Sequence, residues 1–250
     1  MLSESQQHQG EAANDSEDLG IPDPRLTVRV VYEHAGFVVV HKPSGMLSVP
    51  GIGPAKQVCV ISHVKEMYPW ARGSMMVHRL DMETSGLLVV ALTAEHQVAL
   101  SMQFEKRRVR KAYVALLDCS KGEPVHDEGI IDVPMRLDVE NRPYQIVDFV
   151  QGKDALTKYR VLSREVDRVR VRFEPVTGRT HQLRVHAAAP RWMVKHDGTR
   201  VAGGLACPII GDCLYGTRVG RERLLLHAGE IEFRDPISGA RVELYEGAEF

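Results

Sequence analysis

The chain is 250 residues long, 44% hydrophobic and 26% charged, with a formal net charge of −1. That length allows one large domain or two small ones, and no apolar run approaches the ~18–20 residues that a membrane-crossing helix needs. The opening MLSESQQHQG lacks the basic and apolar regions of a secretory signal.

Charge is unevenly placed. Residues 1–20 hold five acids (Glu4, Glu11, Asp15, Glu17, Asp18) and no Lys or Arg, so the remainder is mildly basic. The sequence pI of about 6.8 is far from the value above about 9 that marks a dedicated nucleic-acid binder. Cys59, Cys119, Cys207 and Cys213 show no CxxC spacing. They read as reduced thiols of a cytosolic protein, neither a disulfide framework nor a zinc knuckle.

In chain order, residues 1–24 are polar and acidic, end in IPDP, and read as a disordered tail. Residues 28–40 predict two short strands around a turn at Glu33–Gly36. Residues 56–68 carry Val60, Val64 and Met67 at helical spacing, with Ile61 and Tyr68 beside them. Next comes the polar stretch His78–Gly86, HRLDMETSG, feeding the apolar run Leu87–Leu92, which reads as a strand buried on both faces. Thr93 can cap a helix whose expected buried side holds Val98 and Met102, with Leu100 and Phe104 next to them. The basic run KRRVRK (106–111) leads into a strand at Ala112–Leu117, and 130–150 and 155–163 are strand-rich. RVRVRF (168–173) alternates strictly and predicts a strand with one wet face. After the turn PVTGR, Thr180 can cap a helix through HQLRVHAAA to Pro190; a Gly-rich loop (198–204) and strands at 224–233 and 241–245 follow. Many strands with few helices, no repeat period and no linker argue for one α+β domain over 25–250, with a mixed, mostly antiparallel central sheet.

Chemistry concentrates at a few places. Asp81 lies two residues from Arg79, amid His78, Thr84 and Ser85, at the mouth of a buried strand. A carboxylate is costly to hold there unless it has a partner or a task; a lone Asp in such a turn is otherwise a capping residue. On the helix after Thr180, Arg184 is flanked by Leu183 and Val185, and a buried guanidinium needs an anion. One reading pairs it with Asp81 and orients that carboxylate; the other leaves it on a solvated helix face. Tyr113 is either a core strand residue or an aromatic platform beside the phosphate-binding surface that KRRVRK would make. That run is equally a helix end whose cations meet the dipole. His181 and His186 are five apart, without the spacing or glutamate of a zinc helix, and Gly51–Gly53 lacks the lysine of a phosphate loop. No metal and no cofactor are expected.

Several segments, in order, resemble the RluA family of RNA pseudouridine synthases. They are FVVVHKPSGMLSVPG (37–51), HRLDMETSGLLVVAL (78–92), RKAYVALL (110–117), EPVTGRTHQLRVH (174–186), PIIGDCLYG (208–216) and LLLHA (224–228), and NRPYQIVDFVQGKDALTKYRVL (141–162) is similar to the branch that modifies both 23S rRNA and a tRNA anticodon stem-loop. The resemblance implies the fold of that family, without a preceding S4-like domain, in a cytoplasmic monomer acting on RNA. It implies Asp81 as the essential carboxylate, Arg184 as its partner and Tyr113 stacked on a flipped uracil. Arg79 would fill the vacated space in the RNA. His78, Lys106, Arg107, Arg108, Arg110, Arg179 and His181 would contact RNA, and Leu225 or Leu226 would line the base pocket. Two departures stand out: residues 190–207 are longer than the family's usual link, and Cys207 stands where a His is common. Alternatives within this reading are another rRNA or tRNA uridine as target, or a non-catalytic RNA-binding protein or RNA chaperone of the same fold. A metal-dependent hydrolase built on His181, His186 and the aspartates is the rival outside it.

Overall fold

The computed structural model describes residues 26–121, 125–216 and 223–250; the acidic tail expected over 1–24 lies outside the described residues. The elements in order are β1 (Arg29–His34), β2 (Phe37–Lys42), α1 (Val60–Met67), β3 (Ser85–Ala91), α2 (Ala94–Glu105), β4 (Arg110–Asp118), β5 (Glu128–Asp132), β6 (Met135–Leu137), β7 (Gln145–Val147), β8 (Leu156–Arg164), β9 (Arg168–Pro175), α3 (Gln182–Ala188), β10 (Trp192–Val194), β11 (Arg200–Ala202), β12 (Leu226–Arg234) and β13 (Arg241–Tyr245).

The main sheet runs β1-β2-β3-β12-β4-β9-β8-β5, with β13 added to β12. Every pairing is antiparallel except that of β3 with β12, which touch only at Ser85↔His227 and Gly86↔Ala228. This is the mixed, mostly antiparallel α+β sheet that the sequence predicts. Gly86 makes the parallel contact possible. Its φ is +111°, and a Cβ there would lie 2.4 Å from the Ala228 carbonyl oxygen, so only glycine lets the two backbones approach.

Strand alternation sorts the core. β3 is buried along its whole length. Val38, Val40, Leu88 and Val90 pack toward α1 with Val60, Ile61 and Val64. Phe37, Val39, Leu87 and Val89 pack the other way, toward Leu100 of α2. In β9, Val169, Val171 and Phe173 are buried and join a third cluster with Ala115, Leu117, Leu183 and Cys207, while the arginines between them are not buried.

Three local expectations are corrected. Met67 is 42% exposed, because α1 ends there and its buried face is Val60, Ile61 and Val64. Thr93 does cap α2, accepting the His96 N–H at 3.3 Å, but Val98 and Met102 are 60% and 42% exposed. The inward face is His96 and Leu100, with Phe104 partly packed. Val98, Leu100, Met102 and Phe104 recur every second residue, which on a helix points them to opposite sides; the sequence could not say which side faced the sheet. Finally, Thr180 is not a cap. The N-cap of α3 is His181 in a left-handed conformation, with no side-chain capping bond. The stretch 190–207, read as a long link with a Gly-rich loop at 198–204, contains the β10–β11 hairpin.

Candidate active site

Two walls enclose a cleft of about 540 Å³, within the size range of small-ligand sites. One wall is the loop His78–Thr84 with α2's end and the start of β4. The other is the turn Pro175–Thr180 with α3, and Leu226 contributes from β12.

The first wall is clamped by residues 42–48. Lys42, at the end of β2, is fully buried. Its ammonium donates to the carbonyls of Met82 (2.7 Å), Met46 (2.8 Å) and Pro43 (2.9 Å). Burial lowers its pKa to about 7 against the raising effect of Asp81 and Glu83. Ser44 donates to the Glu83 carbonyl (2.6 Å), and Ser48 exchanges bonds with the backbone of Leu80. The Asp81 carbonyl accepts the Thr84 N–H at 3.1 Å, closing the turn, and Ser85 Oγ meets His227 Nδ1 at 3.0 Å. The backbone on both sides of Asp81 is thus fixed, while its half-buried carboxylate faces the cleft. Among the described residues that carboxylate has no hydrogen-bond or ion-pair partner.

His78 also belongs to this scaffold. Its Nε2 accepts the Val89 N–H at 3.0 Å, and its ring stacks on Phe104 with centroids 4.2 Å apart. Burial, then the nearby Lys111 charge, lowers its pKa to about 3, so the ring is neutral. Tyr113 rises from β4 at the floor of the cleft. Burial and then the Asp81 carboxylate hold its phenol well above the usual range, as a neutral donor.

The expected Arg184–Asp81 pair is corrected here. Arg184 is buried and its guanidinium grips Asp212 with two bonds, Nε to Oδ2 at 2.9 Å and Nη2 to Oδ1 at 2.6 Å. Asp212 also accepts the N–H groups of Leu214 and Tyr215, so both groups are well partnered. Asp81 and Glu83 still act on Arg184 through space. Burial opposes its charge, and Asp212, Asp81 and Glu83 together more than offset that, raising its pKa. Arg184 is therefore a fixed positive wall of the cleft, whose direct bonds go elsewhere. The ring of Tyr215 lies 5.4 Å from the guanidinium, and its hydroxyl meets His181 Nδ1 at 2.8 Å while accepting the Gln145 N–H. Burial lowers the pKa of His181, leaving a neutral imidazole in the cleft wall. Gln182 ties this wall together, accepting from Arg179 N–H and Thr177 Oγ1 and donating to the Leu156 carbonyl and Thr157 Oγ1.

The remaining expected residues divide. Arg79, Arg107, Arg179 and His181 line the cleft, as does Leu226, whereas Leu225 does not; it follows from strand alternation that only one of two neighbours can point in. Lys106 caps the C-terminus of α2, and it, Arg108 and Arg110 are exposed beside the cleft. Arg110 approaches Glu232 at 3.6 Å. Sequence reasoning missed Lys42, Lys111, Asp212 and Tyr215. Lys42 carried a signal, a lysine closing a largely apolar strand before Pro; Asp212 sat in a Gly-flanked turn like many others.

Comparisons with known proteins agree with this arrangement. The family described as RNA pseudouridylate synthase matches residues 36–189, more than half the chain and both walls of the cleft down to α3. The chain belongs to the RNA pseudouridylate synthase family. The synthase is 40% identical over 225 residues to the dual-specificity RNA pseudouridine synthase RluA of Yersinia pestis, covering 88% of this chain and 99% of that one. It is 39% identical to the protein of that name from Escherichia coli K12, covering 88% and 93%. Among solved structures it superposes on human RNA pseudouridylate synthase domain containing 1 with a TM-score of 0.67 at 28% identity, covering 88% of this chain and 83% of that one. As an RNA pseudouridine synthase it is an isomerase.

Proposed function

We propose that the synthase isomerises uridines in 23S rRNA and in a tRNA anticodon stem-loop, with Asp81 as the essential carboxylate. The reaction breaks the N1–C1′ bond and joins C1′ to C5; the C5 proton leaves and N1 ends protonated, so nothing is gained or lost. One observation carries the assignment: Asp81 is held rigidly by its backbone while its carboxylate has no partner among the described residues and faces the cleft. A carboxylate in a partly desolvated cleft is poised either to attack C1′ or to take the C2′ proton. The dual specificity named for the relatives supports two RNA targets.

The other roles follow from chemistry and position. Arg184, charged and immobile, supports a negative group opposite it. Tyr113 offers an aromatic face to the flipped uracil and a hydroxyl for proton movement at C5. Arg79, exposed at the rim, takes the space the base vacates, where a planar cation can stack and bind phosphate at once. Lys106, Arg107, Arg108, Arg110 and Arg179 meet backbone phosphates, and Leu226 packs on the base. The residues 25–250 act as one catalytic domain, monomeric and cytoplasmic.

The deciding experiment is tritium release from RNA carrying 5-³H-uridine. Asp81→Asn is expected to release none while keeping its Tm and its RNA affinity. Full release by that variant would sink the assignment.

A further inference from the structure

Outside the cleft, two thiols lie across from each other at the junction of its walls. Beyond Leu226, the strand position beside the end of β4 passes to residues 208–210. Leu117 and Ile209 form an antiparallel bridge, bracketed by the bonds Ile210 N–H to Leu116 O (2.9 Å) and Asp118 N–H to Pro208 O (2.8 Å). Those bonds make Leu117–Ile209 a non-hydrogen-bonded pair. Continuing that register by two residues would set Cys119 opposite Cys207. That pair is also non-hydrogen-bonded: the Cys119 N–H goes to Asp167 O and the Cys207 N–H to Ala187 O. Non-hydrogen-bonded pairs bring Cα atoms to about 4.5 Å and side chains closest, which matches the Cα separation a disulfide needs, about 4.4–6.8 Å. Both thiols belong to the same core cluster. The Cys207 thiol beside it, then burial, pushes the Cys119 thiol well up, while the Cys119 thiol lowers that of Cys207.

We infer that Cys119 and Cys207 are a site of reversible oxidative modification, closing to a cross-strand disulfide when the chain meets hydrogen peroxide. Cys207 is fully buried and Cys119 partly exposed, so the oxidant reaches Cys119 first. Its sulfur attacks the peroxide, the O–O bond breaks, the thiol proton passes to the departing hydroxide, and a sulfenic acid and water result. The Cys207 sulfur then attacks Cys119 sulfur and expels hydroxide, which leaves as a second water. Two thiols lose two electrons and two protons, and the peroxide takes both. The other cysteines lack this setting. Cys59 is buried as the cap of α1, bonded to Ser62. Cys213 lies against the Glu83 carboxylate at 3.6 Å and not against another thiol.

The bond would join the end of β4, the strand of Tyr113, to the segment between α3 and Asp212. It therefore staples the two walls of the cleft together without using a residue that lines it. Closing a loop of about 90 residues constrains the unfolded chain, so the oxidised form should melt roughly 5–10 °C higher.

The test treats the reduced full-length chain with hydrogen peroxide, counts thiols and maps peptides by mass spectrometry. Expected are a monomer lighter by two hydrogens, two remaining thiols, a Cys119–Cys207 link, the rise in Tm, and complete reversal by dithiothreitol. Cys213→Ser should keep the link, and Cys119→Ser and Cys207→Ser should each abolish it. Because Cys119 is partly exposed, its serine variant decides the matter even if Cys207→Ser misfolds. Retention of four thiols, a link through Cys213, an intermolecular dimer, stable sulfinic acid at Cys119, or a fall in Tm on oxidation would each overturn the inference.

Discussion

Replacing Asp212 by Ala should be among the most damaging single changes in this protein, although Asp212 does no chemistry. The side chains of Arg184 and Asp212 are 3% and 0% exposed. Removing the carboxylate leaves a buried guanidinium without its bonded anion, and orphans the Leu214 and Tyr215 N–H groups that it also accepts. Breaking a buried pair from one side costs about 3–5 kcal/mol, a large share of the 5–15 kcal/mol that holds a typical domain. With a urea m-value of about 3 kcal/mol/M, the midpoint should fall by roughly 1 to 1.7 M. Urea unfolding followed by circular dichroism and tryptophan fluorescence measures it. Asp212→Asn, which keeps the shape and one acceptor, should fall between. Replacing both residues, Arg184→Met with Asp212→Leu, should recover much of the stability while leaving the cleft without its positive wall. A midpoint shift below about 0.3 M for Asp212→Ala would refute the reasoning, because it would mean that Arg184 finds another anion or reaches water.

Three further outcomes are expected. Arg79→Ala should leave the Tm unchanged, since the side chain is exposed; a 2-aminopurine reporter next to the target uridine should lose its flipping signal, and an unchanged signal would remove Arg79 from base extraction. Gly86→Ala should destabilise by at least about 1–3 kcal/mol because its Cβ would strike Ala228, and a Tm equal to that of the parent chain would contradict the close β3–β12 contact. His186 is buried and His78 half-buried, both neutral, with pKa values lowered to about 4 and about 3, mainly by desolvation. The unfolded rings titrate near 6.5, so their stabilisation is present above that pH and is lost as pH falls toward 4, at up to about 1.4 kcal/mol per pH unit for each ring. His186→Gln should flatten the urea midpoint measured between pH 7 and 5; an unaltered pH slope would argue against it.

The order and kind of most strands were legible because alternation in segments such as RVRVRF states which side is wet, and because β3 is apolar throughout. The turn around Asp81 was legible too, since polar groups crowded before a buried strand are costly without a purpose. What could not be read was direction and partnership. Four apolar residues of α2 lie on both sides of the helix, and only the sheet decided that His96 and Leu100 turn inward. Arg184 announced that it needed an anion, but the sequence pointed only to Asp81. The structure gave its bonds to Asp212, which lies beyond α3 and the β10–β11 hairpin, and left Asp81 to the cleft. Lys42 holds the loop of Asp81 in place from forty residues away, and no local pattern connects the two. Sequence determines which groups must be satisfied, because burial penalties depend on residue type and periodicity. Tertiary structure decides which group satisfies which, because hydrogen bonds and ion pairs act over a few ångströms between residues that only the folded sheet brings together.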